Sequence, residues 1–404
     1  MSAGGLSTKR LDRLHKIMAA HVERGEVPGI VTLVSRHGEV HVDTIGMKAV
    51  VGNEPMRRDT IFRIASMTKP IAAAAAMILV EECKLRLDEP VDPLLPELAS
   101  RKVLKRIDGP LDDTVPANRP ITLRDLLTFR MGFGIVSGPP DRYPIQNAAR
   151  EQQLMAFGLP EPWTPHDPDE WMRRFATLPL MHQPGERWLY NTSFEVLSVL
   201  IARASGQSLA SFLRERLFQP LGMNDTGFSV PPAKLYRLAS CYQVNPETSS
   251  LELYDGVEDS RWRNPPAFPS CGGGLVSTID DYLAFGQMML NQGKHGNERI
   301  LSRPSVEAMT TDQLTPEQKA LSPRFIPEYW DTRGSGFGVS VVTKHDSLSA
   351  TPGQFGWDGG FGTSWCSDPA EDMVAVLMSQ RLGFPMVWPV NQDFWTSVYQ
   401  AIDD

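Results

Sequence analysis

Ser66 and Lys69 are the first residues whose types and spacing indicate chemistry. They lie three positions apart in the pattern S-x-x-K, directly before an alanine-rich and uncharged segment at 71–80. Residues i and i+3 share one face of a helix, so the hydroxyl and the amine can meet. An apolar helix would bury the amine and favour its neutral, basic form, and the helix N-terminus would favour a negative charge developing at Ser66. The pair therefore predicts a serine nucleophile with a lysine partner.

This short pattern also arises by chance, with a serine that caps a helix and a lysine on the surface. The sequence after Lys69 argues against that alternative. A lysine on the surface is not expected next to a helix that is apolar on all sides.

A second candidate is Tyr190, which follows a Pro-Gly turn at 184–185 and precedes a helix that begins at Thr192 or Ser193. A phenol that reaches Ser66 and Lys69 would carry protons between the nucleophile and the leaving group. Taken alone, an ordinary half-buried tyrosine of the core is the simpler interpretation.

A third candidate is the glycine-rich segment at 356–363, which contains Trp357, Asp358, Gly359 and Gly360. Clustered glycines at the start of a strand favour a close approach of the backbone to a ligand. A backbone N–H from this segment, together with the N–H of Ser66, would form an oxyanion hole. The alternative is a bulge or a tight strand entry with Trp357 as core filler.

The elements that must position these residues follow a simple order along the chain. The sequence predicts a helix and a hairpin, then several helices with proline-rich connections, then strands and a closing helix. The predicted first helix covers 11–22, the hairpin strands 29–35 and 40–45, the middle helices 66–83, 122–128, 169–177, 193–205 and 208–217, the later strands 336–343, 363–367 and 373–379, and the last helix 391–402.

The simplest packing of these elements is an α/β (α+β) fold. The two ends of the chain join in one antiparallel sheet flanked by the terminal helices, and a mainly helical subdomain is inserted. We predict a discontinuous sheet subdomain from 1–65 and 271–404, a helical subdomain at 66–270, and a substrate cleft between them.

Composition excludes several classes of function. The formal net charge is −8 and the sequence has no run rich in Lys and Arg, so a nucleic-acid partner is not expected. The N-terminus has no apolar signal segment, and the apolar run at 71–80 is too short to span a bilayer. The four cysteines are widely spaced, which disfavours a disulfide framework or a zinc site. We therefore expect a cytoplasmic protein without a membrane partner or a metal.

Taken together, the three motifs resemble a known family. S-x-x-K at Ser66, a tyrosine motif at Tyr190 and a strand motif at Trp357 occur in the order typical of class C serine β-lactamases, D,D-peptidases and family VIII carboxylesterases. The segments 121–128, 271–278 and 362–368 also resemble connecting segments of that family. The resemblance extends over nearly the whole chain and is strongest to the family VIII carboxylesterases.

The resemblance implies a β-lactamase and penicillin-binding-protein-like fold and a role for each matching position. Ser66 would be the nucleophile, Lys69 its base and Tyr190 the second proton carrier. Gly360 would supply the second oxyanion N–H beside that of Ser66. No metal and no organic cofactor is implied.

Two positions depart from the family pattern, and both belong to the predicted substrate-binding set of Trp357, Asp358, Gly359, Asn191 and Thr192. The motif Y-x-N has Thr192 where the asparagine is expected, so Asn191 would substitute only if the local turn were displaced. Trp357 replaces the lysine whose charge would attract the carboxylate of a β-lactam or a peptide. An indole offers an apolar wall and one N–H donor instead.

These departures favour small neutral carboxylic esters as substrates, cleaved through an acyl-enzyme on Ser66. β-Lactamase or D-amino-acid peptidase activity and acyl transfer remain alternatives on the same site. A catalytically silent binding or sensor module is an alternative from another class, disfavoured by the intact Ser66, Lys69 and Tyr190. A Ser-His-Asp enzyme is disfavoured because the sequence has no G-x-S-x-G motif.

The sequence leaves the natural substrate and the oligomeric state open. We expect the segments 137–168 and 242–268 to select the substrate. Trp163, Trp171, Trp262 and Phe268 either line an acyl pocket or only pack these segments.

Overall fold

The computed structural model describes residues 4–139, 141–154, 163–322, 328–383 and 389–404. The helices are α1 Thr8–Glu23, α2 Thr68–Glu81, α3 Leu123–Leu127, α4 Pro144–Glu151, α5 Pro168–Ala176, α6 Thr192–Ser205, α7 Leu209–Leu213, α8 Gln219–Leu221, α9 Ile279–Leu290, α10 Arg303–Met309, α11 Pro316–Ala320, α12 Tyr329–Thr332 and α13 Pro389–Gln400.

Strands from both ends of the chain form one large sheet. The strands are β1 Gly29–Arg36, β2 Glu39–Gly46, β3 Phe62–Arg63, β4 Lys102–Leu104, β5 Thr114–Pro116, β6 Cys241–Val244, β7 Leu251–Asp255, β8 Val276–Ser277, β9 Lys294–His295, β10 Glu298–Arg299, β11 Arg333–Ser335, β12 Ser340–Val342, β13 Phe355–Gly359, β14 Thr363–Asp368 and β15 Met373–Met378. Seven of them pair in the order β11-β12-β13-β14-β15-β1-β2, and all neighbours are antiparallel.

The sheet is covered on both faces because its central strands alternate between two cores. On β1, Ile30 and Val34 pack with α1 and α13, whereas Val31 and Leu33 face the larger core that contains α2 and α9. Successive side chains of a strand point to opposite faces, so an almost entirely apolar strand serves both layers. The predicted antiparallel sheet flanked by terminal helices is confirmed.

One predicted strand is wrong. The alternating segment 336–343 predicts a single strand, but β11 and β12 flank a tight turn in which the Gly336 N–H donates to the Val339 carbonyl at 2.9 Å. Gly338 has φ +70°, a left-handed conformation that favours glycine. The two glycines therefore interrupt the strand despite its alternating pattern.

The other predicted helices and strands named above are present with boundary shifts of a few residues. Thr122 starts α3 with a reciprocal capping box to Asp125. The segment 208–217 forms α7, which continues through a wider helical turn at Arg214–Phe218 into α8.

The segment 137–168, which we expect to help select the substrate, contains α4, while residues 140 and 155–162 lie outside the described residues. The division into subdomains at 65/66 and 270/271 stays a prediction.

Candidate active site

A strained turn presents Ser66 at the start of α2. β3 pairs with β8, and the chain then forms a single 3₁₀ turn at Ala65–Met67 before α2 begins. Ala65 has φ +42°, a conformation that costs a non-glycine residue about 1–3 kcal/mol. The Tyr282 hydroxyl donates to the Met67 carbonyl at 2.8 Å and helps to hold the turn. The result is a half-buried serine, partly open to solvent, in an otherwise buried segment.

The structure brings Lys69 to Ser66 as the sequence spacing predicts. Lys69 is 0% exposed, and its Nζ donates to Ser66 Oγ at 3.0 Å. The same nitrogen donates to the carbonyl oxygen of Gly272, which lies in the turn before β8. Burial penalises a charged amine, and the carbonyl compensates for part of that penalty.

Tyr190 joins the pair from the segment just before α6. Its hydroxyl donates to Ser66 Oγ at 2.8 Å, and the Lys69 Nζ lies 4.5 Å from the centre of its ring. The indole N–H of Trp357 donates to the Tyr190 oxygen at 3.2 Å. One phenol therefore contacts the nucleophile, the amine and the third predicted motif.

The backbone around Tyr190 is held on both sides. The Ile135 N–H donates to the Tyr190 carbonyl at 3.0 Å, and the Leu189 N–H donates to the Phe129 carbonyl at 2.7 Å. Asn191 has φ +80° and ψ −64°, and the Thr192 N–H donates to the Tyr190 carbonyl at 3.3 Å. These angles define a γ-turn of the rare and strained form. Together these hydrogen bonds hold the backbone of Tyr190 in place.

Asn191 and Thr192 follow Tyr190 directly, at the start of α6. Asn191 hydrogen-bonds to the carboxyl of Glu195, and Thr192 is only 1% exposed in the first turn of α6. The substitution of Asn191 for the asparagine of the family motif stays a prediction. The burial of Thr192 does not support its predicted contact with substrate.

β13 places two of its predicted residues on opposite faces. Trp357 points to Tyr190, whereas Asp358 accepts a hydrogen bond from Ser364, whose hydroxyl also accepts from the Trp395 indole N–H on α13. Successive side chains of a strand point to opposite faces, so Trp357 and Asp358 cannot both face Tyr190. The prediction that Asp358 binds substrate is thus not supported by its position.

Gly359 brings the end of β13 against the turn that carries Ser66. A Cβ on Gly359 would lie 2.2 Å from the Ile64 carbonyl oxygen, so only glycine permits this approach. Gly360 follows directly, and its carbonyl accepts from the Gly383 N–H at 3.1 Å. The role of the Gly360 N–H as second oxyanion donor stays a prediction.

Sequence reasoning missed Glu195, a buried acid on α6. Its Oε1 accepts from Ser270 Oγ at 2.9 Å, and burial, only partly offset by hydrogen bonds and by Lys69, raises the pKa of Glu195 to about 7. The available signal was a single carboxyl inside the apolar segment 194–202. A charged residue in an apolar helix is the same signal that singles out Lys69.

The predicted aromatic residues of the outer segments mostly fill the core. Trp171 stacks on Phe175 and donates its indole N–H to the Leu154 carbonyl, and Trp262 donates to the Gly274 carbonyl. Phe268 packs on Trp171, and Trp163 packs edge-on against Trp262. These contacts favour the packing interpretation over an acyl pocket.

The described part of the chain offers neither a metal cluster nor a single membrane-spanning helix. It contains no group of three or more His, Cys, Asp or Glu residues arranged to hold a metal, and its four cysteines are unpaired. Within the same residues no single helix is long and apolar enough to cross a bilayer. The segments Thr192–Ser205 and Leu209–Leu221 meet those limits only when combined across a 77° bend.

The fold and the Ser-Lys-Tyr cluster define a serine hydrolase with a penicillin-binding-protein-like architecture. The family model described as Beta-lactamase matches residues 14–399, and the chain belongs to this family.

Two relatives are similar over most of the chain. Protein Rv1367c of Mycobacterium tuberculosis (strain ATCC 25618 / H37Rv) is 40% identical over 370 residues, which cover 89% of this chain and 87% of the relative. Esterase EstB of Burkholderia gladioli is 30% identical over 409 residues, with 96% and 94% covered.

Solved structures share the fold at lower identity. EstCE1, described as a hydrolase with promiscuous acyltransferase activity, superposes with a TM-score of 0.79 at 24% identity and covers 96% of this chain and 98% of its own. Unliganded simvastatin synthase LovD from Aspergillus terreus has a TM-score of 0.78 at 21% identity, with 98% of each chain covered.

Proposed function

We propose that this protein hydrolyses small neutral carboxylic esters through an acyl-enzyme on Ser66. The observation that carries the proposal is the hydrogen bond from the Trp357 indole to the Tyr190 oxygen at 3.2 Å. This N–H serves the catalytic phenol, at the position where the resembling family carries a lysine for a substrate carboxylate. The similarity to Esterase EstB supports the same class of substrate.

In the proposed first half-reaction, Ser66 Oγ attacks the ester carbonyl carbon. The hydroxyl proton passes to Lys69 or Tyr190, both of which lie within 3.0 Å of Oγ. The backbone N–H groups of Ser66 and Gly360 would bind the oxyanion of the tetrahedral intermediate. Its collapse breaks the ester C–O bond, and the leaving alkoxide takes a proton from the tyrosine or the lysine.

The second half-reaction reverses these roles with water as the nucleophile. The same bases accept a proton from water, which attacks the acyl carbon. Ser66 Oγ then leaves and regains its proton, and the carboxylic acid is released. No step of this scheme requires a metal or an organic cofactor.

The test is hydrolysis of p-nitrophenyl butyrate by the wild type and by Ser66→Ala. We expect the variant to lose at least about a thousandfold in kcat, because the covalent route is removed. Ser205→Ala is the matched control, since this serine lies at the far end of α6 and donates only to the Ala202 carbonyl. Turnover by Ser66→Ala at the wild-type rate would refute the assignment.

Assays with other substrates distinguish ester hydrolysis from two other reactions that the same site could carry out. β-Lactamase or D-amino-acid peptidase activity predicts efficient turnover of nitrocefin, which the proposed role of Trp357 disfavours. Acyl transfer predicts that an added alcohol acceptor captures the acyl group faster than water. The structural similarity to EstCE1, a hydrolase with promiscuous acyltransferase activity, makes transfer the first alternative to test.

Covalent labelling of Ser66 distinguishes an active hydrolase from a catalytically silent module. A fluorophosphonate should modify Ser66 covalently, and peptide mapping should locate the adduct. Folded protein that stays unlabelled at Ser66 would favour the silent module.

The proposal includes a cytosolic location, because the chain carries four unpaired thiols. Fractionation of the source cells would test this location. Recovery of the protein outside the cytosol would contradict it.

A further inference from the structure

A buried carboxyl lies directly behind the catalytic lysine. Glu195 is 8% exposed, and its Oε1 accepts from Ser270 Oγ at 2.9 Å. The Asn191 amide also hydrogen-bonds to this carboxyl. Its second oxygen, Oε2, is buried without a hydrogen-bond partner among the described residues. A buried carboxyl oxygen without a hydrogen bond lowers the stability of the folded protein, so the presence of Glu195 here requires an explanation.

Hydrogen bonds and close contacts of the turn at 270–272 connect the Glu195 carboxyl to the Lys69 amine. Ser270 Oγ, which donates to Glu195, accepts from the Gly272 N–H at 3.1 Å. A Cβ on Gly272 would lie 2.2 Å from Glu195 Oε1, so the carboxyl rests against the Gly272 backbone. The carbonyl of that same residue accepts from Lys69 Nζ. Glu195 therefore supports the group that binds the lysine.

We propose that Glu195 is a positioning residue of the active site, which fixes the 270–272 turn and supplies the negative charge that sets the proton affinity of the Ser66–Lys69–Tyr190 cluster. This inference rests on the proposed function of Ser66 and Lys69. Glu195 does not touch the substrate in this scheme and acts through Lys69.

The charged and titratable groups around Glu195 support an electrostatic link to Lys69. On the neighbouring elements, Lys69 of α2 and the thiol of Cys271 interact with the Glu195 charge, and burial raises the pKa of that thiol to about 12. The acids of α3 and α5 are paired elsewhere: Asp125 with Arg119, Asp169 with Arg203, and Glu170 with Arg173 and Arg174. Among these groups, Lys69 is thus the basic side chain that interacts with the Glu195 charge.

The sign of the effect follows from the charge. Burial raises the pKa of Glu195 to about 7, so the carboxylate form, and its attraction for a proton on Lys69, is present above that pH. In the proposed scheme, a nearby negative charge favours the protonated form of the group that accepts the Ser66 proton. Its removal favours the basic form of whichever group accepts the Ser66 proton.

The experiment compares the pH profile of kcat/KM for p-nitrophenyl butyrate between the wild type and Glu195→Gln. We expect the acid limb of the variant to shift to lower pH by about one unit. Asp281→Asn is the matched control, because Asp281 is also a buried acid whose pKa is raised by burial, but it hydrogen-bonds to Thr226 and the Asp225 N–H. Its acid limb should coincide with that of the wild type.

A second variant keeps the test valid if Glu195→Gln does not fold. Ser270→Ala removes the hydroxyl that stabilises the carboxylate and should shift the acid limb in the same direction by a smaller amount. The proposal would be overturned if a folded variant had an acid limb that coincides with that of the wild type or lies at higher pH. This holds even if kcat falls by the same factor at every pH. Failure of the proposed function would look different, because the wild type would then neither hydrolyse the ester nor react with a fluorophosphonate at Ser66.

Discussion

At the scale of single residues, the Tyr190 oxygen is the point where the three motifs meet. It donates to Ser66 and accepts from Trp357, while the Tyr190 ring covers the Lys69 amine. The indole N–H fixes the phenol oxygen by a hydrogen bond and adds no positive charge to the site. This arrangement is what the proposed cleavage of neutral esters requires of the indole.

The role of the indole predicts the effect of Trp357→Phe. This change keeps an aromatic ring and removes the donor, so kcat/KM for p-nitrophenyl butyrate should fall about three- to tenfold. Trp395→Phe is the control, because that indole donates to Ser364 on the other face of the sheet. Equal activities of Trp357→Phe and the wild type would show that the hydrogen bond to Tyr190 does not matter.

At the scale of elements, close backbone contacts fix α2 relative to the sheet. Gly359 at the end of β13 lies against the Ile64 carbonyl, and a Cβ on Gly338 would lie 2.9 Å from the Lys69 carbonyl. Each glycine lets a sheet connection approach one end of the S-x-x-K turn. The geometry of the turn that carries Ser66 thus depends on two glycines, which have no side chain.

Gly359→Ala tests this dependence. The added Cβ would lie 2.2 Å from the Ile64 oxygen, so β13 must move away from the turn and shift the predicted oxyanion donor. We expect kcat to fall on the order of a hundredfold, since misplacement by about 1 Å has that effect. Gly227→Ala, with its nearest atom at 3.6 Å, is the control. Unchanged kcat in a folded Gly359→Ala would contradict the argument.

At the scale of the whole molecule, one buried ion pair joins three distant parts of the chain. Arg63 of β3 is 0% exposed and pairs with Asp255 at the end of β7. The same guanidinium donates to the Gln380 side chain just after β15 at 3.0 Å. Because Arg63 lies three residues before Ser66, this network also anchors the start of the turn that carries Ser66.

Asp255→Asn should therefore lower the free energy of unfolding by about 3–5 kcal/mol, because it leaves the buried Arg63 charge without a counter-ion. Urea denaturation followed by tryptophan fluorescence measures the change. Asp280→Asn is the control, since the side chains of Arg58 and Asp280 are 55% and 45% exposed. That variant should lose less than about 1 kcal/mol. Similar losses of unfolding free energy in the two variants would show that burial of the Arg63–Asp255 pair does not determine the size of the effect.

Local patterns in the sequence were enough to predict the elements and one catalytic contact. The hairpin β1–β2, helix α2 and the capped start of α3 follow from alternation, apolar content and capping residues. The contact between Ser66 and Lys69 spans one helical turn, so spacing alone predicts it. The motif order and the family resemblance added Tyr190 and Trp357.

Only the tertiary structure decided which distant groups meet. The bonds from Tyr190 to Ser66 and from Trp357 to Tyr190 join residues 124 and 167 positions apart, and Lys69 reaches the Gly272 carbonyl across 203. Strand register turned Trp357 toward the cluster and Asp358 away from it, and packing of α6 on α2 placed Glu195 behind the lysine. Such contacts depend on how whole elements pack, and a pattern within one helix or strand does not encode them.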